Sequence, residues 1–191
     1  MNRREIAQDL DRKDPLSHFK KEFYHPENEI YLDGNSLGKL PLKAKEKMTM
    51  VMQEQWGKYL IRSWNEHWLD LPKRLASKLA QLLNAKDHEI LVGESTSVNL
   101  YKVAQALIQS GHYPKQFLSD ALNFPTDNYI LEGICRENAL AKPIYIHYST
   151  DLKADLNLLK NQISAHPGIV CLSLVSYKSA YYYPMKALNL H

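Results

Sequence analysis

With 191 residues, 45% hydrophobic and 24% charged, and only 7 glycines, the chain can build one good core or one domain with an added element, and disordered and fibrous classes are excluded. A formal net charge of +3, spread without a clustered basic face, gives no footprint for nucleic acid. Cys135 and Cys171 lie in separate apolar segments without Cys/His ligand spacing, so reduced, buried thiols are expected, and neither a disulfide nor a metal site.

Arg3 and Arg4 are not followed by the apolar core of a leader, and no run approaches eighteen apolar residues. Neither export nor membrane insertion is expected, and a cytoplasmic location is the default. Residues 1–24 set Ile6, Leu10, Phe19 and Phe23 in a charged background, which predicts an arm of one or two short amphipathic helices interrupted near Asp14 and Pro15. Ile30, Tyr31 and Leu32 form a short extended piece, followed by a turn through Asp33, Gly34, Asn35, Ser36, Leu37 and Gly38 whose glycines can take positive φ. Residues 42–60 read as a helix, with Ala44, Met48, Val51, Met52 and Gln55 at helical spacing and Pro41 tolerated near its start. Trp56, Trp64 and Trp68 gather around Arg62, Asn65, Glu66 and His67, a mixture that suits either core packing or a pocket for a planar ligand. Asp70 is placed to cap a helix running to Asn84, with Pro72 in its first turn and Leu71, Leu75, Leu79 and Leu82 or Leu83 on one face, a stripe assigned to the core.

From there the pattern alternates. Strands are predicted over 90–92, 116–119, 144–148 and 169–177, and helices over 98–109, about 127–137 and 156–165, with a further helix beginning at 184–190. Such alternation marks an α/β fold with a parallel sheet, whose ligands bind in the loops beyond the carboxyl ends of the strands. Two of those loops carry chemistry. In Glu94, Ser95, Thr96, Ser97, Val98, Asn99 and Leu100, three hydroxyls meet the unpaired N–H groups of a new helix, which makes either a phosphate seat or a plain cap by Ser95 or Ser97. The loop of Asn123, Phe124, Pro125, Thr126, Asp127, Asn128 and Tyr129 offers an aromatic ring and a carboxylate on the same edge; Phe124 as a loop anchor and Thr126 as a cap are the plainer readings. Taken together the two loops suit a phosphorylated heteroaromatic cofactor.

Four motifs in order, the run from Tyr31 to Gly38, the stretch from Trp64 to Pro72, Glu94 to Leu100, and Phe124 to Asp127, resemble kynureninase. The resemblance covers nearly the whole chain but only the N-terminal part of that enzyme. It implies an α/β fold of the aspartate-aminotransferase type: an incomplete PLP-transferase-like large domain over 41–191, with a parallel-rich sheet flanked by helices, preceded by an N-terminal helical arm and turn over 1–40. It further implies pyridoxal 5'-phosphate (PLP) as cofactor, L-kynurenine as substrate, anthranilate and L-alanine as products in tryptophan catabolism and the kynurenine pathway to NAD, and a homodimer. Carried over by motif, Thr96 and Ser97 hold the cofactor phosphate, Phe124 stacks on its ring and Asp127 lies near the ring, while Asn35, Ser36 and Trp64 serve the substrate end.

No catalytic residue is assigned. The family's ring-nitrogen aspartate, its neighbouring histidine and its covalent lysine are expected beyond His191, so a complementing C-terminal fragment is a further expected partner. Tyr177 and Lys178 superficially match the family's Tyr-Lys cofactor motif. They directly follow the 169–176 strand, however, where the family has an earlier Asn-Tyr-(Lys/Arg)-(Ser/Thr)-Gly segment, so Lys178 is not read as the covalent lysine. That segment departs here too, with Ser176 for the asparagine and Ala180 for the glycine. The alternatives are a non-catalytic remnant or interaction module of the same fold and, more remotely, another PLP-dependent lyase or desulfurase.

Overall fold

The computed structural model describes residues 2–147 and 155–189. Two compact units, Met1–Val92 and Gly93–His191, are each described by themselves.

The first unit begins with helix α1, Arg3–Lys13. A capping box sets its start: Asn2 Oδ1 accepts from the Glu5 N–H and the Glu5 carboxylate accepts from the Asn2 N–H, both at 2.9 Å. The helix ends at Asp14, before Pro15, and a 3-10 turn over Ser17–Glu22 completes the expected arm. An antiparallel bridge between Phe23 and Pro41 closes the following segment. Inside it the Tyr31 hydroxyl donates to the Leu37 carbonyl at 2.6 Å, and Ser36 Oγ donates to Asp33 Oδ1 at 2.8 Å. The turn is made without a left-handed glycine: neither Gly34 nor Gly38 takes positive φ, and Asn28, at φ 58°, has the left-handed backbone in this segment.

Helix α2, Leu42–Met50, widens into a π-helix over Val51–Tyr59 and stops where Leu60 adopts φ 52°. A second π turn over Trp64–Trp68 leads into α3, Leu71–Leu83. A polar knot joins these pieces. Ser63 Oγ donates to the Gln55 carbonyl at 2.6 Å, and Trp68 Nε1 donates to Gln55 Oε1 at 2.8 Å. Two expectations are corrected here. Asp70 does not cap α3: its backbone is already helical (φ −86°, ψ −8°), because the π turn runs straight into the helix, whereas a capping side chain needs an extended backbone to face the first N–H groups. The leucine stripe is not core. Ala76 and Ala80 are the buried residues of α3, and contact through such small side chains leaves Leu71, Leu75, Leu79, Leu82 and Leu83 exposed.

The second unit runs α4 (Thr96–Ser110), β1 (Phe117–Asp120), α5 (Pro125–Glu137), β2 (Ile144–Ile146), α6 (Leu156–Ala165), β3 (Ile169–Cys171) and α7 (Met185–Asn189). It is α/β, with the three strands in one parallel sheet ordered β2-β1-β3 and Leu118 opposite both Ile144 and Val170. Successive residues of β1 point to opposite faces, which separates two cores. Phe117 packs with Ala104, Ile108, Leu131, Ile134 and Cys135, whereas Leu118 packs with Ile146, Leu159, Tyr183 and Leu188. Gly111 ends α4 in the left-handed conformation, at φ 70°. Gly168 lets β3 approach β1, since a Cβ there would lie 2.3 Å from the Gln116 carbonyl oxygen.

The predicted strand at 90–92 is corrected: Ile90 has extended dihedrals (φ −111°, ψ 126°), but among the described residues no ladder includes this segment, and extended backbone without a partner is not a strand. The strand expected to reach Tyr177 ends at Cys171, because the chain folds back on itself through a Val175–Tyr182 bridge and a hydrogen bond from the Ser176 N–H to the Tyr181 carbonyl at 2.9 Å. Tyr148, the predicted end of β2, and Leu190 lie outside the described residues. Among the described residues no helix is long and apolar enough to cross a membrane.

Candidate functional site

At the head of α4, Ser95 is the cap: its backbone is extended and its Oγ accepts from the Val98 N–H at 3.3 Å. That resolves the choice between Ser95 and Ser97. Thr96 and Ser97 occupy the first two helical positions, and among the described residues neither hydroxyl has a hydrogen-bond partner. Their environment favours an anion through the helix dipole and the free N–H groups of the first turn. Glu94 would oppose one, but Lys102 Nζ reaches both its carboxylate oxygens at 2.7 Å. The hydrogen bond from Lys102 holds Glu94 below the usual carboxylate range, and the pair neutralises the charge beside the helix end.

The second loop leaves the carboxyl end of β1. Asp120 is buried there, with one carboxylate oxygen accepting from the Leu122 N–H at 2.6 Å and the other from the Tyr183 hydroxyl. Asn128 pins the start of α5 to the strand, accepting from Ser119 Oγ at 3.0 Å and donating to the Asp120 carbonyl at 3.1 Å. Asn123 is only 6% exposed, and its Oδ1 accepts from the Phe124 N–H at 2.9 Å and from Ser173 Oγ at 2.6 Å. Phe124 stands at the N-cap position of α5 with Pro125 next, so Thr126 lies inside the helix and is not its cap. The Phe124 ring is 50% exposed and meets Tyr177 edge-on, with centroids 5.2 Å apart. Asp127, in the first turn of α5, has no ion pair among the described residues, and burial pushes its pKa up. Burial, with the Asp127 charge added, pushes the Cys171 thiol up to about 11. Burial and then the Glu132 charge likewise raise Cys135, and both cysteines are free.

The two loops are not joined to each other. Helix α4 meets α5 through Tyr101, whose hydroxyl donates to Glu137 at 2.9 Å, and through Gln105, which accepts from Asn138 at 3.0 Å. These contacts hold the second and third turns of α4 at the far end of α5, about 15 Å along the helix from Asp127 at 1.5 Å per residue. Among the described residues no hydrogen bond or ring contact links Thr96 or Ser97 to Phe124 or Asp127. In the first unit, Asn35 is exposed within its turn and Ser36 is held by Asp33. Trp64 is 49% exposed and packs edge-on against Trp68, centroids 5.8 Å apart, in an open groove of about 370 Å³ that Trp56, Leu60 and Ile61 also line. Sequence reasoning named Asn123 only as a member of its loop and placed Ser173 inside the predicted 169–177 strand, and neither local pattern signals that the two side chains meet.

These features define an α/β protein with a parallel sheet, with a candidate anion-binding group at the head of α4 and an aromatic group in the loop at the carboxyl end of β1. Similarity is more specific. The chain is 40% identical to the kynureninase of Deinococcus radiodurans over 194 residues and 40% identical to that of Pseudomonas fluorescens over 185, in each case covering 94% of this chain and 43% of the relative. It is 36% identical to the kynureninase of Burkholderia mallei over 194 residues, which covers 99% of this chain and 45% of the relative. Along nearly its whole length the chain is similar to kynureninases, and it spans less than half the length of the curated relatives it matches, consistent with their N-terminal part. No protein-family model matches it.

Proposed function

We propose that this chain forms the N-terminal part of a PLP-dependent kynureninase of the aspartate-aminotransferase fold type, with 1–40 as an arm and turn and 41–191 as part of the large domain. The reaction is the hydrolytic cleavage of L-kynurenine to anthranilate and L-alanine. The observation that carries the proposal is the 40% identity to a kynureninase over 94% of the chain. The side chains are compatible with the cofactor. Thr96 and Ser97 have unengaged hydroxyls beside free helix N–H groups for a phosphate, and Phe124 has a half-exposed ring for a planar heterocycle. Asp127 is an unpaired, partly desolvated carboxylate open to a cationic group. When bound, PLP would supply the electron sink for cleavage at the carbons of the substrate amino acid. This chain's own part is to hold the phosphate, cover one ring face and, through Asn35, Ser36 and Trp64, to contribute to the substrate end. A homodimer is part of the same proposal.

The test pairs the chain with a separately produced polypeptide covering the remaining length of the Deinococcus radiodurans relative and follows anthranilate fluorescence on L-kynurenine. Turnover by the mixture, with none by the 191-residue chain alone, is expected, since no residue here is assigned as the covalent lysine. Anthranilate release by the chain alone that Lys178→Ala abolishes would contradict the placement of that lysine. No turnover and no complex on mixing would favour a non-catalytic module, and sulfide release from L-cysteine in place of anthranilate would favour a desulfurase.

A further inference from the structure

Within the first unit lies a pocket of about 210 Å³ whose lining residues all carry polar side chains, among them Lys47, Gln55, Glu66, Asp70 and Arg74. Asn35, Ser36 and Trp64 are not part of it. Lys47, on α2, and Gln55, on the π-helix that continues it, come before the chain turns at Leu60. Glu66, Asp70 and Arg74 come after, spaced four residues apart along the second π turn and α3, so that they are neighbours on one ridge. Gln55 is the informative residue, because it is only 8% exposed and its amide is oriented. Trp68 Nε1, which can only donate, binds Oε1 at 2.8 Å, so the other end of the amide is Nε2. Among the described residues Nε2 has no hydrogen-bond partner, whereas the side-chain group that is both unpartnered and sealed from solvent is Asn123 Nδ2. The Gln55 donor is therefore reachable, and it opens on the pocket that Gln55 lines. A free donor on a side chain this deeply buried is rare in folded proteins. The charges around it are unmet on both sides. Among the described residues Lys47, Arg74 and Asp70 make no ion pair, and Glu66 has only His67, whose Nε2 stands 3.9 Å away, beyond hydrogen-bond reach. A simple anion would face the two carboxylates, a simple cation would face Lys47 and Arg74, and an aromatic body would find no apolar wall. Two cations, two carboxylates and one fixed donor match a small molecule that carries both charges.

We propose that this pocket binds a small polar α-amino acid as its zwitterion, with its carboxylate on the Lys47 and Arg74 cations, its ammonium on the carboxylates of Glu66 and Asp70, and a side-chain acceptor on Gln55 Nε2. The site does not rest on the kynureninase proposal, because it needs neither PLP nor turnover and its lining offers nothing to the aromatic ring of kynurenine. The test is a titration of the 191-residue chain with L-asparagine, whose side-chain carbonyl can accept from Gln55 Nε2, followed by ¹H–¹⁵N NMR. Succinamate, which lacks the ammonium, and L-asparaginamide, which lacks the carboxylate, are titrated beside it. Saturable L-asparagine binding that perturbs Lys47, Gln55, Asp70 and Arg74, including the side-chain amide signals of Gln55, is expected, with both analogues at least about tenfold weaker. L-Phenylalanine should not compete. Arg74→Gln and Asp70→Asn should each weaken L-asparagine at least about fivefold, and Lys73→Gln, on the same helix but outside the pocket, should leave it unchanged. All three side chains are exposed, so the variants are expected to fold as the parent does. Absence of saturable L-asparagine binding, either analogue or L-phenylalanine bound as tightly as L-asparagine, parental affinity in Arg74→Gln or Asp70→Asn, or an equal loss in Lys73→Gln would each overturn the proposal.

Discussion

Ala180 holds φ 56°, in the left-handed region, at the end of the fold-back between Ser176 and Tyr181. Its N–H donates to the Ser176 carbonyl at 2.9 Å, so the turn is closed and the conformation cannot relax without losing that bond. A Cβ in this region costs roughly 1–2 kcal/mol. Replacing alanine by glycine removes that cost but returns roughly 0.4–1 kcal/mol through the greater freedom of the unfolded chain. Ala180→Gly should therefore stabilise the second unit by about 0.5–1 kcal/mol, which for a unit of about 100 residues raises Tm by roughly 2–8 °C. The direction agrees with the glycine that the resemblance to kynureninase implies at this position. Urea unfolding followed by near-UV circular dichroism is the assay, because Tyr177, Tyr181, Tyr182 and Tyr183 surround the turn. The midpoint should rise with an unchanged m-value. A lower midpoint would refute the left-handed assignment and the strain drawn from it.

Ser95→Ala should cost about 1 kcal/mol of stability, whereas Thr96→Ala and Ser97→Ala should each stay within about 0.5 kcal/mol, measured by the same unfolding assay. Burial raises the pKa of Asp127 above its ordinary 3.8, so between that value and its folded pKa the folded chain binds more protons than the unfolded one, and stability falls as pH rises through the window. Asp127→Asn should accordingly be more stable than the parent at pH 7, with the gap closing as the pH is lowered towards 4; a gap independent of pH would remove the titration as its cause. Leu82, 82% exposed, and Leu83, 64% exposed, should promote self-association of the isolated chain. Their joint replacement by lysine should reduce the sedimentation coefficient at high concentration and change stability by less than about 1 kcal/mol.

The second unit was far more legible in the sequence than the first. Helix α6 falls at the predicted 156–165, and α4, α5 and β1 lie within two residues of their predicted bounds, because each couples a clear apolar period to a turn signal. Local pattern failed where a partner decides the outcome. Residues 90–92 have strand composition, and Ile90 has extended dihedrals, but among the described residues they join no ladder, and the leucines of α3 have core periodicity but stay exposed. Asp70 failed for a related reason, since the π turn before it sets a helical backbone that capping propensity does not foresee. At the site, the residue types were visible from the motifs and the capping role of Ser95 was among the readings weighed. The orphaned amide of Asn123 was not legible: it depends on Ser173, fifty residues away, taking up the other side of the same group.

The central claim, that the head of α4 holds the phosphate of PLP, is tested most directly by cofactor retention in the complemented enzyme. There Thr96→Ala with Ser97→Ala removes two hydroxyl donors, and charge-assisted hydrogen bonds contribute roughly 1.5–3 kcal/mol each. The double variant should bind PLP at least about tenfold more weakly while the cofactor-free Tm changes by less than about 4 °C, and Phe124→Leu should weaken PLP without altering the competition by inorganic phosphate. A double variant that retains PLP as tightly as the parent and loses only stability would contradict the account, and would reduce these hydroxyls to parts of a helix end.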